Sequence, residues 1–207
     1  MPKLTEARKE MMNKMIKDKI FTEALHLLKE KKGILFTMDD LAHNVGISKG
    51  ALYSYFIDKQ AVILYLAERV ADEMLEGLKD IDERYPHEYE NNLLRYCSLA
   101  LKMKNKYKYI NLANLFFAFD PVVNDKNICM IVEPTVKIRA HLIEFFTLGV
   151  EKGVFKKMSP MALTLLCSSV FRGLELVSVI NKEKKLFKQK QMEEEMQQLL
   201  LGAVVAK

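Results

Sequence analysis

Gly50, Tyr53 and Ser54, with Lys49 at the edge, fall on one arc of a short helix when residues 49–56 are wound at 3.6 residues per turn. Leu52, Tyr55 and Phe56 fall on the other. The first arc is small, hydroxylated and singly basic, with none of the Glu/Lys pairs of a merely solvated helix face. Small residues let a helix sink into a DNA major groove, where hydroxyls and a lysine can bond phosphates and base edges. The competing reading is structural: a small helical hairpin that only completes a core. Two capped helices around a glycine turn occur in proteins that never touch DNA.

Several elements must hold that face. Thr37 is an N-cap type, and Asp40 three residues on completes an acidic capping box. Leu41, Ala42 and Val45 give the helix it opens an apolar face, with Asp39, His43 and Asn44 turned away. Gly46 supplies the residue tolerant of φ > 0 where the chain turns sharply. Ser48 is the next N-cap. Asp58 caps a third helix, and Ile57 is placed to staple onto Val62. Upstream, Ile16, Ile20, Ala24, Leu27 and Leu28 form a helical stripe from about Glu10 to Lys31, behind a frayed, charged arm. Ile34, Leu35 and Phe36 then bring the chain onto the core.

The run V-G-I-S-K-G-A-L-Y-S-Y-F-I-D-K, from Val45 to Lys59, closely resembles the DNA-binding signature of the tetracycline-repressor (TetR/AcrR) family of bacterial regulators. The match is dense over Ile16 to Leu66, where glycine, caps, aromatic pair and basic residue all fall in register. Met38 departs from it, since many members carry Thr or Val there; one possible phosphate-contacting hydroxyl is lost. Beyond Leu66 the resemblance covers only size and an all-helical layout. It implies a homodimeric repressor of a palindromic operator, released by a small apolar or amphipathic molecule. It also implies residue roles. Thr37, Ser48, Tyr55 and Lys59 would bond phosphates. Lys49, Gly50, Ala51, Tyr53 and Ser54 would face the groove, with Lys49 and Tyr53 at the bases.

Composition sets the bounds. The 207 residues are half hydrophobic and 29% charged, an ordinary globular balance with room for one or two small domains. The net charge of +5 permits nucleic acid without demanding it. No run of about 18 uncharged apolar residues occurs, so no spanning helix is expected. The N-terminus is polar and lacks the apolar core of a signal peptide. Cys97, Cys129 and Cys167 are odd in number and far apart, which fits buried core thiols in a reducing cytoplasm; a thiol sensor is the alternative. Enzyme chemistry finds no support: the four histidines are isolated, and no metal-ligand spacing, phosphate loop or nucleophile elbow is present. No metal and no cofactor are expected.

The rest of the chain reads as helix. A long helix from Lys59 to about Glu83 ends at Tyr85-Pro86, since the residue before proline is pushed out of the α region. Further helices span about Leu93–Met103, Ile110–Phe119, Asn124–Glu151 with a kink or break at Pro134, Pro160–Ile180 and Gln189–Val205. The expectation is all-α, about nine helices. A three-helix DNA-binding headpiece occupies residues 1–70, and a helical ligand-binding and dimerisation domain occupies 71–207.

Tyr96, Met103, Phe116, Phe117, Phe119, Phe145 and Phe146 are candidate walls of a ligand cavity; the same aromatic set would also serve any core. The helix from Pro160 is apolar nearly all round and must be covered. Leu163, Leu166, Val170, Gly173, Leu174 and Val177 on it, with Met196, Leu199 and Leu200 on the last helix, suit a four-helix dimer interface. In the resembled family the last two helices form such a bundle; burial within one chain is the alternative. Arg172 and Glu175 interrupt that helix at i,i+3 spacing, as an interface pair or as an anchor for an anionic ligand. The rival function is a helical dimeric sensor of an apolar ligand whose headpiece contacts protein.

Overall fold

A computed structural model describes the backbone of residues 6–31, 35–111, 113, 125–184 and 188–206. Side chains are described for all of these except 125–134, 175, 176 and 178–184. Among the described residues there are nine helices and no strand, as the sequence pattern predicts. They are α1 (Glu6–Glu30), α2 (Met38–Val45), α3 (Lys49–Tyr55), α4 (Lys59–Arg84), α5 (Tyr89–Lys106), α6 (residues 108–111 and 113 described), α7 (Asp125–Glu151), α8 (Pro160–Lys184) and α9 (Gln189–Val204). α1 begins four residues before the expected start. Glu6 suits the positive end of the helix and pairs with Lys9 at 3.1 Å. α7 runs through Pro134 without a break, so the predicted interruption there is not found.

The chain divides into two compact units. One comprises Met1–Arg69 with Tyr109–Glu133, the other Val70–Lys108 with Pro134–Lys207. In the first, Ile20, Ala24, Leu27 and Leu28 of α1 are buried with Phe36, Leu41, Val45, Leu52, Val62, Ile63 and Leu66. Arg69 at the end of this unit's share of α4 returns to α1. It bonds Asp18 at 2.6 Å and lies over the Phe21 ring at 4.9 Å. Two local expectations fail here. Ile57 is 79% exposed while Val62 is fully buried, so no staple forms; Asp58 caps Ala61 N–H at 2.8 Å and sets the entry to α4 alone. Leu35 is likewise exposed, and Phe36 anchors that turn to the core.

The second unit is built on an aromatic core. Phe145 of α7 touches Tyr96 and Tyr89 of α5 at ring-centroid distances of 4.7 and 5.8 Å. Phe155, in the α7–α8 loop, packs on Phe146 at 5.1 Å. A Cβ on Gly149 would stand 2.3 Å from the Phe155 ring, so only glycine lets that ring lie against α7. The loop is pinned to the end of α9 by an isolated bridge between Phe155 and Val205. Lys156 N–H to Val204 O and Ala206 N–H to Val154 O, both 2.9 Å, flank it. Cys97 and Cys167 are buried, and burial raises both thiols to about 12. They stay protonated near neutral pH, which favours the core reading over a thiol sensor. Cys129 lies outside the described side chains.

α5 and α9 are joined by a buried ion pair, Lys104 Nζ to Glu193 Oε1 at 2.5 Å, with Gln189 donating to the same oxygen at 2.8 Å. Removing one member of such a pair leaves the other charged in a poor solvent for charge. Lys104→Met alone should therefore destabilise the protein by about 3–5 kcal/mol, and Lys104→Met with Glu193→Leu should recover most of the loss. Urea unfolding of both variants tests this; equal stabilities would refute it.

Candidate nucleic-acid interface

The Thr37–Phe56 segment is set by reciprocal caps. Thr37 Oγ1 accepts Asp40 N–H at 3.1 Å, and Asp40 Oδ2 accepts Thr37 N–H at 2.7 Å: the expected capping box. The same carboxylate takes Lys31 from the end of α1 at 2.8 Å. Gly46 ends α2 at φ 74°, its N–H on the carbonyls of Ala42 and His43. Two residues later Ser48 Oγ accepts Ala51 N–H at 3.1 Å and opens α3. With Leu52 fully buried and Phe56 nearly so, the other arc of α3 faces solvent.

On that arc the predicted residues come together. Lys49, Gly50, Tyr53 and Ser54 are all exposed and Ala51 is half-buried, while nothing lies within 4 Å of where a Gly50 Cβ would sit. Ser54 Oγ gives its proton to Ala51 O at 2.6 Å, so outward it can only accept. Thr37 and Ser48 are exposed. Each hydroxyl oxygen serves as a cap acceptor, which leaves its own proton to donate to an anion.

Two expected phosphate contacts are differently placed. Tyr55 Oη donates to Asn13 Oδ1 of α1 at 3.0 Å, so the proton a phosphate would take is already given. Lys59 Nζ turns back to Phe36 O at 3.3 Å and stands over the Phe36 ring at 5.6 Å. Asn13 and Asp39 are residues the sequence reading missed. Asn13 fixes the Tyr55 hydroxyl, and Asp39 holds Lys49, whose pKa is raised by that hydrogen bond first and by the charge second. Neither leaves a local signal, because the partners are 42 and 10 residues apart.

In the second unit the candidate ligand walls Tyr96, Met103, Phe145 and Phe146 are buried; the Phe145 ring packs on Tyr96 and Phe146, and both phenylalanines pack on Phe155. Tyr96 Oη donates to Asp82 Oδ2 at 2.6 Å; burial, then that bond, holds the phenol far above its usual range. Phe116, Phe117 and Phe119 lie outside the described residues. Of the interface candidates, Leu163, Leu174 and Leu200 are buried within the chain and have almost no surface left to give. That corrects their assignment to a partner-facing stripe. Leu166, Val177 and Leu199 are exposed; Val170, Gly173 and Met196 are half-buried. Arg172 is exposed, and the Glu175 side chain lies outside the described set.

Two capped helices around a left-handed glycine, the second with a bare outer face, define a helix-turn-helix protein. Residues 20–66 match the model of bacterial regulatory proteins of the tetR family. Over those residues the chain carries the DNA-binding part of that family, and its fold is the TetR-family transcriptional-regulator fold. It is 31% identical over 97 residues to an uncharacterized HTH-type transcriptional regulator, YvaF, of Bacillus subtilis (strain 168). That match covers 47% of this chain and about half, 49%, of the relative.

Among solved structures it is similar to the transcriptional regulator FadR from Bacillus subtilis in complex with stearoyl-CoA. The TM-score is 0.74 at 14% identity, over 88% of this chain and 96% of that one. It is also similar to the fatty acid degradation regulator FadR from Bacillus halodurans, with a TM-score of 0.73 at 17% identity over 89% and 97%. At these identities the likeness is one of fold. Among the described residues no helix is long and apolar enough to cross a membrane.

The local geometry leads to two expected outcomes. Gly50 is a helical residue in open space, so Gly50→Ala should stabilise the fold by up to about 1 kcal/mol, read by thermal unfolding; a lower melting point would mean hidden crowding. The Asp40 carboxyl is lowered from 3.8 to about 2, by Lys31 first and the Thr37 amide next. A depressed folded-state pKa stabilises above the unfolded value, and the effect is lost as pH falls through the folded one. Asp40→Asn should thus be less stable than the parent at neutral pH, and the gap should close between about pH 4 and about pH 2. A gap of constant size in urea melts across that window would contradict this.

Proposed function

We propose that the chain is a sequence-specific DNA-binding transcriptional regulator, a homodimeric repressor released from a palindromic operator by a small apolar or amphipathic ligand. The observation that carries the reading is the open arc of α3, with Lys49, Tyr53 and Ser54 exposed around an uncrowded Gly50. Such a face can approach a groove as closely as backbone allows, and it offers a cation, a phenol and a hydroxyl acceptor to base edges. Residues 1–70 are the DNA-binding part and 71–207 the ligand and dimerisation part. A protein that reads a bacterial operator works in the cytoplasm.

Exposed apolar groups on α8 and α9 support the dimer: Met161, Leu165, Leu166, Val177 and Leu199 range from 37% to 67% exposed. Two recognition helices then reach successive major grooves if they stand ~34–36 Å apart. For the ligand, the stearoyl-CoA held by the Bacillus subtilis FadR supports an amphipathic class. Entry would replace contacts that Tyr96, Phe145 and Phe146 now make with each other. The fold class of regulators argues against catalysis.

Footprinting on DNA around the gene's own locus tests the reading, at low and moderate salt. A palindromic protected site should appear and weaken steeply as salt rises. Tyr53→Ala should cost about 1–3 kcal/mol of operator binding. Gly50→Leu should melt no lower than the parent yet lose protection. Folded variants that bind unchanged would remove α3 from the interface. Failure to bind any genomic fragment would instead favour a ligand sensor whose headpiece contacts protein.

A further inference from the structure

Lys49 is the only charged residue of α3, and it does not stand alone. Its Nζ lies 2.8 Å from Asp39 Oδ1 and 2.9 Å from Oδ2, a straddled pair reaching from the first turn of α2 to the first turn of α3. Both side chains are well exposed, at 63% and 59%. Exposed pairs of this kind open readily, so the lysine is held back without being locked.

Resting on the DNA-binding reading, we propose that Asp39 is a specificity-determining residue: it withholds the Lys49 charge from phosphates and so suppresses sequence-independent binding. A phosphate offers Lys49 another anion in place of the carboxylate, and brings its own charge up against Asp39. That exchange gains little. A guanine edge presents O6 and N7 together and carries no charge, so it can take protons from the ammonium while Asp39 keeps its contact. The acid therefore weakens the backbone contact more than the base contact. The lysine consequently reads sequence with less of the indiscriminate attraction that a lone cation would have.

The test compares the parent, Asp39→Asn, Lys49→Ala and the double variant on a synthetic duplex of scrambled sequence and on the footprinted fragment. Anisotropy is read at about 50 and about 200 mM salt. Asp39→Asn should tighten scrambled-duplex binding several-fold, up to about tenfold at the lower salt. It should steepen the salt slope by about one contact and narrow the ratio of specific to scrambled affinity. In the Lys49→Ala background the same change should do almost nothing, and Asp39→Glu should restore parental discrimination. Equal tightening with and without Lys49 would mean that Asp39 acts only as a bare negative charge, and would overturn the proposal while leaving the DNA reading intact. So would no tightening. A parent that binds neither duplex at low salt would overturn both.

Discussion

The headpiece depends on one carboxylate. Asp40 accepts the Thr37 amide that starts α2 and the Lys31 ammonium that ends the α1 segment, so a single side chain fixes both the cap and the approach of one helix to the next. The segment behind that carboxylate has no slack. α2 is eight residues long, Gly46 turns in the left-handed region, and Ser48 caps α3 two residues later. A seven-residue helix has no standing by itself, since isolated helices of that length do not offset the cost of nucleation in water. α3 exists because its caps are satisfied and because Leu52 and Phe56 are buried. Those two anchors also decide which arc is left outside.

That dependence on neighbours in sequence explains what could be read beforehand. The capping box, the glycine turn and the Ser48 and Asp58 caps are contacts within a few residues, and the buried stripe of α1 is a helical repeat of apolar types; residue type at fixed spacing carries both. The failures are of another kind. Ile57 has the right type and offset for a staple, yet the Asp58 cap alone suffices to start α4, and Ile57 remains in solvent. Asn13 reaching Tyr55 and Asp39 reaching Lys49 depend on how α1, α2 and α3 lie together. No local pattern encodes that.

In the second unit the difficulty is that an aromatic stripe looks the same whether it lines a cavity or fills one. Tyr96, Phe145 and Phe146 are fitted ring to ring, with Phe155 brought in by a loop that the bridge to Val205 holds down. A polar knot lies beside them. Asp82 of α4 accepts Tyr96 Oη at 2.6 Å and Asn92 Nδ2 at 3.3 Å, and stands 3.0 Å from His141 Nε2 of α7. Apolar packing tolerates sliding, whereas hydrogen bonds of this kind demand a particular register. The knot thus ties three helices at one height, and the aromatic residues fill the space that this register defines.

The same ambiguity divides α8. Its sequence is apolar on nearly every side, and periodicity alone cannot say which side meets its own chain. The structure sorts it: Leu163, Cys167 and Leu174 follow a heptad-like spacing into the core with Leu200 and Val204 of α9, while Leu165, Leu166 and Val177 remain outside. Two apolar faces on one helix need two coverings. The first is present in the chain. The second face carries leucines and a valine where a solvated helix would carry Glu and Lys, and Leu199 of α9, 67% exposed, adds to the uncovered apolar surface. A lone chain would gain solubility by replacing them, which is the physical reason the proposed dimer places its contact on this outer face, through Leu166, Val177 and Leu199 of the interface set the sequence suggested and without its buried Leu163, Leu174 and Leu200.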